Sequence, residues 1–164
     1  MANATVYGFR AIEDENYHAP REWVVAGSEA IAIGDVVYLN SAGRIALATS
    51  TTAAVCGVAG TPVTASAAAG DAIKVFDHPH QKFEAMVSTG ALTDPYTHFT
   101  SASCYDLTGA TGAQYVNAAA STYDIFKCVG LSKDPVTGAD SVVGTNQMKV
   151  WIVNPAKHQL GYAA

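Results

Sequence analysis

Between Asp35 and Val75, apolar and β-branched residues come in four short runs set off by glycine, aspartate, asparagine or serine. Gly34-Asp35 opens Val36-Val37-Tyr38-Leu39, and Asn40-Ser41-Ala42-Gly43 turns the chain into Arg44-Ile45-Ala46-Leu47. A Thr/Ser run precedes Val55-Cys56-Gly57-Val58-Ala59, and Gly70-Asp71 opens Ala72-Ile73-Lys74-Val75. Runs this short, with turn residues between them, predict antiparallel strands in a small β-barrel or sandwich. Further on, Phe83, Ala85 and Val87 alternate with Lys82, Glu84 and Met86, the period of a strand with one buried face. Two more strands are expected over 123–131 and 147–153, joined through the turn-rich Ser132-Lys133-Asp134-Pro135-Val136-Thr137-Gly138.

Three portions follow from this pattern. Residues 1–21 keep no sustained strand or helix period and read as an extended N-terminal arm, with Val6-Tyr7-Gly8-Phe9 as an edge strand the equal alternative. Residues 22–76 form the β module. Residues 77–164 form a second β portion, with a long loop over 88–122, packed with the first as one compact unit. The fold class is mainly β, with long loops, and a packed domain is expected from about residue 22 to residue 154. Trp23 and Trp151 adjoin β-branched runs and belong inside it.

Composition narrows the function classes. The chain has 164 residues, enough for one domain that buries roughly two-thirds of its unfolded surface. Charged residues make up 14 %, against about 25 % in ordinary soluble domains, and Ala, Gly, Ser and Thr take their place. A surface so poor in charge, on a fold rich in strand edges, suggests one covered by partners. The net charge of -5 and the scattered Arg10, Arg21, Lys127 and Lys133 argue against nucleic acid. No run approaches the ~20 apolar residues that span a bilayer, and no secretory signal is visible, so the expectation is a protein made in a cytoplasm and free of membrane.

Candidate chemistry is thin. Cys56, Cys104 and Cys128 are odd in number and form no Cys-x-x-Cys; Cys56 and Cys128 read as small buried hydrophobes. His78 and His80 are two apart, as a chelate on one strand face requires, with His98 or Asp94 as third ligands. Pro79 interrupts that strand and no ligand stands at zinc spacing, so no metal is expected. No nucleophile elbow, His-Glu-x-x-His or phosphate loop occurs. Asp94 and Asp106 as an acid and base pair is weaker than their reading as turn residues. The chain is therefore expected to be no enzyme and to need no cofactor. The richest candidate for binding is the N-terminal segment. Tyr7, Phe9, Arg10, Tyr17, Arg21 and Trp23 are of the types enriched at interface hot spots, and an extended arm can add to a partner's strand edge.

The segments from Gly34-Asp35 through Gly70-Asp71-Ala72-Ile73-Lys74-Val75 resemble the β module of tailed-phage capsid decoration proteins, also called cement or head-stabilising proteins. The second half resembles phage head-associated structural proteins in three stretches. They are Asp77-His78-Pro79-His80-Gln81-Lys82-Phe83-Glu84, Phe126-Lys127-Cys128-Val129-Gly130-Leu131 with Asp134-Pro135, and Val150-Trp151-Ile152-Val153-Asn154 with His158-Gln159. The arm and the 88–122 loops have no part in the resemblance. It implies a non-catalytic virion protein on the outer capsid surface, bound to the major capsid protein and to itself, usually as a homotrimer. The six arm residues named above would then face the capsid or a neighbouring copy. The alternative is another virion surface component, a head fibre or a carbohydrate-binding module, with Tyr96, Phe99, Tyr105 and Tyr115 as sugar platforms.

Overall fold

The computed structural model describes residues 8–12, 17–87, 104–117, 119–131 and 147–152, with Cys128, Leu131 and 147–152 as backbone. These residues form strands and turns, with no helix among them. β1 (Phe9–Ala11), β7 (Lys82–Met86), β11 (Gln147–Ile152), β10 (Phe126–Leu131), β8 (Cys104–Thr108) and β9 (Tyr115–Asn117) make a six-stranded sheet in that order. β2 (Arg21–Val24), β6 (Ala72–Phe76), β5 (Gly57–Ala59), β3 (Val36–Leu39) and β4 (Ile45–Leu47) make a five-stranded one. Every strand pairing in both sheets is antiparallel. The mainly β fold is thus of the sandwich kind, and neither sheet closes into a barrel. The five-stranded sheet curls until its two edges meet at one isolated bridge, Val25 to Ile45, where the Ala26 N–H donates to the Ile45 carbonyl at 2.8 Å.

The alternation of side chains splits the five-stranded sheet into two apolar faces. Val36 and Val58 point toward the six-stranded sheet and share a core with Phe9, Phe83, Ala85, Leu107, Val116, Ile125 and Phe126. Their neighbours Val37 and Ala59 point the other way, into a second core with Val25, Ile31, Ile45, Cys56, Ile73 and Val75. Both faces of β3 and β5 are therefore buried, which is why those runs lack the polar alternation of a half-exposed strand. β6 keeps it, with Ile73 and Val75 inside and Ala72 and Lys74 outside. Each buried Ile, Val or Phe contributes about 1.5–3 kcal/mol, so the two cores carry most of the stability.

Of the arm and edge-strand alternatives, the edge strand is the one found, over Phe9–Ala11. These residues are an edge strand of the six-stranded sheet, Phe9 opposite Ala85 and Ala11 opposite Phe83. Phe9 is 2 % exposed and its ring stacks on Phe126 at 4.8 Å, so it is a core residue and no partner contact. The physical cause is a close crossing of backbones. Gly8 lies so near Gly34 that a Cβ on it would stand 2.3 Å from the Gly34 carbonyl oxygen, and Gly34 itself has φ +85°. Glycine at both points lets the first strand cross the β3 turn, where the Phe9 N–H donates to the Gly34 carbonyl at 2.8 Å.

Candidate functional site

The polar run Asp77-His78-Pro79-His80-Gln81 joins β6 to β7 and faces the segment leading into β2. Pairing of β2 with β6 sets Arg21 opposite Val75, so its long side chain reaches diagonally to Asp77. There Nε donates to both carboxylate oxygens, at 2.9 and 2.8 Å, and a second guanidinium nitrogen lies 2.7 Å from Oδ2. The Trp23 indole N–H donates to the same Oδ2 at 2.8 Å, and the Arg21 guanidinium sits 5.9 Å from the Trp23 ring centroid. Asp77 is 3 % exposed, so this fork of charge-assisted bonds is what makes its burial tolerable.

Gln81, also buried, holds the other end of the segment. Its Oε1 accepts from the His18 N–H at 3.0 Å, and its Nε2 donates to the carbonyls of Ile12 and Lys82. Between these clamps the Tyr17 ring lies 6.1 Å from Phe76. His18 stacks on His78 at 3.4 Å with planes 18° apart, and His80 follows at 5.7 Å from His78. Tyr17, His18, Arg21 and His80 are exposed, so the cluster presents an aromatic, imidazole and guanidinium face over a fixed floor.

Among the sequence candidates, Tyr17, Arg21 and Trp23 come together here. Trp23 is half-buried, with its indole on the second core. Arg10 lies apart, on β1, paired with Glu84 of β7 beside a shallow groove that Ala11 and Ile12 also line. Phe9 is in the core, Tyr7 lies outside the described residues, and so does the side chain of Trp151. Sequence reading missed Asp77 and Gln81, the two residues that build the site. Their only sequence signal is a polar run between two strands, and nothing in it names Arg21 or His18 as partner.

Elsewhere among the described residues, Asp106 is bound to backbone. Asp106 is 4 % exposed and accepts from the N–H groups of Thr122, Tyr123 and Asp124 at 2.8–3.0 Å, which fits a structural anchor better than an acid or base. Asp94 and His98 lie outside the described residues. Burial pushes the Cys56 thiol up to about 12, with Asp77 adding to the rise and Arg21 opposing it. Burial and then Asp124 raise Cys104 as well, against Lys127. Neither thiol is a ready nucleophile. His18 and His78 face each other ring to ring, so their nitrogens do not converge, and no group of three or more metal-ligating side chains assembles among the described residues. Of the sugar-platform candidates, Tyr105 is buried, Tyr115 half-buried, and Tyr96 and Phe99 lie outside the described residues. No protein-family model and no curated protein matches the chain.

Proposed function

We propose that this chain is a non-enzymatic virion structural protein that binds the outer surface of a tailed-phage capsid and clamps neighbouring major capsid subunits. The observation that carries the reading is how its buried polar groups are used. Asp35, Asp77, Asp106, Gln81 and Gln114 all bond to backbone or to a fixed partner, which suits a rigid scaffold and leaves none of these three carboxylates free as an acid or base. The exposed Tyr17, His18 and Arg21, seated on that scaffold, are the partner-facing residues, with Arg21 held by Asp77, which Trp23 also bonds. Clamping acts through multivalency: a homotrimer that bridges several capsomers turns modest contacts into strong retention.

Mass spectrometry of purified virions tests the reading. A copy number near that of the shell subunit supports it, whereas a few copies per particle point to a head fibre. Binding of the purified protein to undecorated shells, weakened at least tenfold by Tyr17→Ala with Arg21→Ala, locates the contact. Full occupancy by that double variant would remove the patch from the interface.

A further inference from the structure

The polar cluster also contains a titratable contact that its structural role does not require. The His80 N–H donates to Nδ1 of His78 at 3.2 Å, so that nitrogen carries a lone pair and the ring proton sits on Nε2. Protonation of His78 places a proton on Nδ1 and ends this bond. The same proton charges a ring lying 3.4 Å from His18, with His80 and the Arg21 guanidinium near and Asp77, among the described residues, the one opposing charge. Asp77 is already engaged by Arg21 and Trp23, which limits what it offers a new cation.

We propose that the His18–His78 stack, with the bond from the His80 N–H, is a proton-operated latch that releases residues 17–20 from the β6–β7 turn as the pH falls. Its range is confined by bonds that do not titrate near neutrality. The fork between Arg21 and Asp77 holds the chain from residue 21 onward, so acid frees the approach to β2 and leaves the strand in place, and the neutral bond from the His18 N–H to Gln81 Oε1 opens together with the stack. Tyr17 and His18, the exposed part of the face, lie on the freed side. Burial favours neutral His78, and the fields of His18, His80 and Arg21 push the same way against Asp77. The folded protein therefore binds this proton less readily than the unfolded chain does. The latch is intact above the ordinary histidine value of 6.5 and opens as the pH drops below it through the lowered one. This inference concerns the isolated protein and stands whether or not the chain decorates a capsid.

A pH titration of the full chain by NMR, from pH 8 to 5, tests it. Expected is a His78 ring midpoint below 6.5, with the His18 and His80 amides and the Tyr17 ring moving at that midpoint. On the acid side the His18 and His78 rings no longer stack, so the cross-peaks between their ring protons vanish. Signals of β3 and β5 stay unchanged. In His78→Asn, whose side-chain oxygen still accepts from residue 80 but does not titrate, the transition at residues 17–20 disappears. In His18→Phe, which keeps a ring for stacking without its charge, the His78 midpoint rises toward 6.5. That second variant serves if the first does not fold. A His78 midpoint at or above 6.5 overturns the latch. So does an unmoved 17–20 segment across that midpoint, or a transition that persists in His78→Asn.

Discussion

Ala32-Ile33-Gly34-Asp35 and Ala68-Ala69-Gly70-Asp71 fold into the same turn in two different settings. In each, the aspartate N–H donates to the alanine carbonyl at 3.1 Å, and the alanine N–H donates back to the aspartate Oδ2 at 2.8 Å. In each, the glycine has positive φ, +85° and +103°, and a strand begins at the next residue after the aspartate. The settings then diverge. Asp71 is exposed, while Asp35 is wholly buried and its second oxygen accepts from the Gly112 N–H at 2.8 Å. Through that bond the β8–β9 hairpin docks on the five-stranded sheet. Gln114 reinforces it, accepting from the Val36 N–H at 2.6 Å and donating to the Ala48 carbonyl at 2.7 Å. One local code serves as a strand opener at the surface and as a joint between sheets in the interior.

Removing the two aspartates breaks the comparison most directly. Asp35→Ala leaves two half-buried N–H donors around an emptied interior position and is expected to cost about 3–4 kcal/mol, while Asp71→Ala, whose donor meets water, costs about 0.5–1 kcal/mol. Urea unfolding with unchanged slope reads both. Equal losses would mean that the Gly112 bond adds nothing.

Gln114→Ala, which touches the interior joint but not the turn itself, should cost about 2–3 kcal/mol by the same measurement, since it leaves the Val36 N–H and the Ala48 carbonyl buried without a partner. A loss below about 1 kcal/mol would indicate that water replaces the amide.

The glycines sharpen the contrast at smaller scale. Alanine at either position meets the backbone strain of positive φ, about 1–2 kcal/mol. At Gly70 the new Cβ has open space, whereas at Gly34 it stands 3.0 Å from the Phe9 carbonyl oxygen. Gly34→Ala should therefore exceed Gly70→Ala by about 1 kcal/mol in thermal or urea unfolding, because β1 must shift to admit the methyl group.

The smallest expected effect is in acid. Desolvation raises the Asp35 carboxyl above its usual 3.8, against the lowering by the Ala32 and Gly112 N–H groups. The folded state thus holds this proton more firmly than the unfolded chain. The associated stability is full below pH 3.8 and is lost as the pH rises through the raised value. Measured against Asp35→Asn, which does not titrate, the wild type should lose part of its relative stability across that window. A difference independent of pH would show that the backbone bonds cancel the effect of burial, and one that grows with pH that they outweigh it.

The strands of the module were legible in the chain because their information is local. Gly-Asp openings, turn residues and β-branched runs mark β3 to β6, and alternation marks β7, since both periods are properties of a few neighbouring residues. Phe9 and Asp35 show where that ends. Phe9 stands in a polar-aromatic segment without a period, and a strand of three residues is too short to display one. It becomes core because Gly8 and Gly34 let two backbones cross and Phe126 waits beyond them. Asp35 and Asp71 are indistinguishable in their local sequence, and nothing near either one names Gly112, 77 positions away from Asp35. The site follows the same rule. Arg21 and Trp23 were recognisable as residue types suited to contact, but Asp77 and Gln81, which position the segment beneath them, lie more than fifty residues on. Sequence alone determined the strand class, the turns and the small-residue character of the chain. The tertiary structure decided which polar side chains are buried, because burial depends on what distant segments bring to each turn.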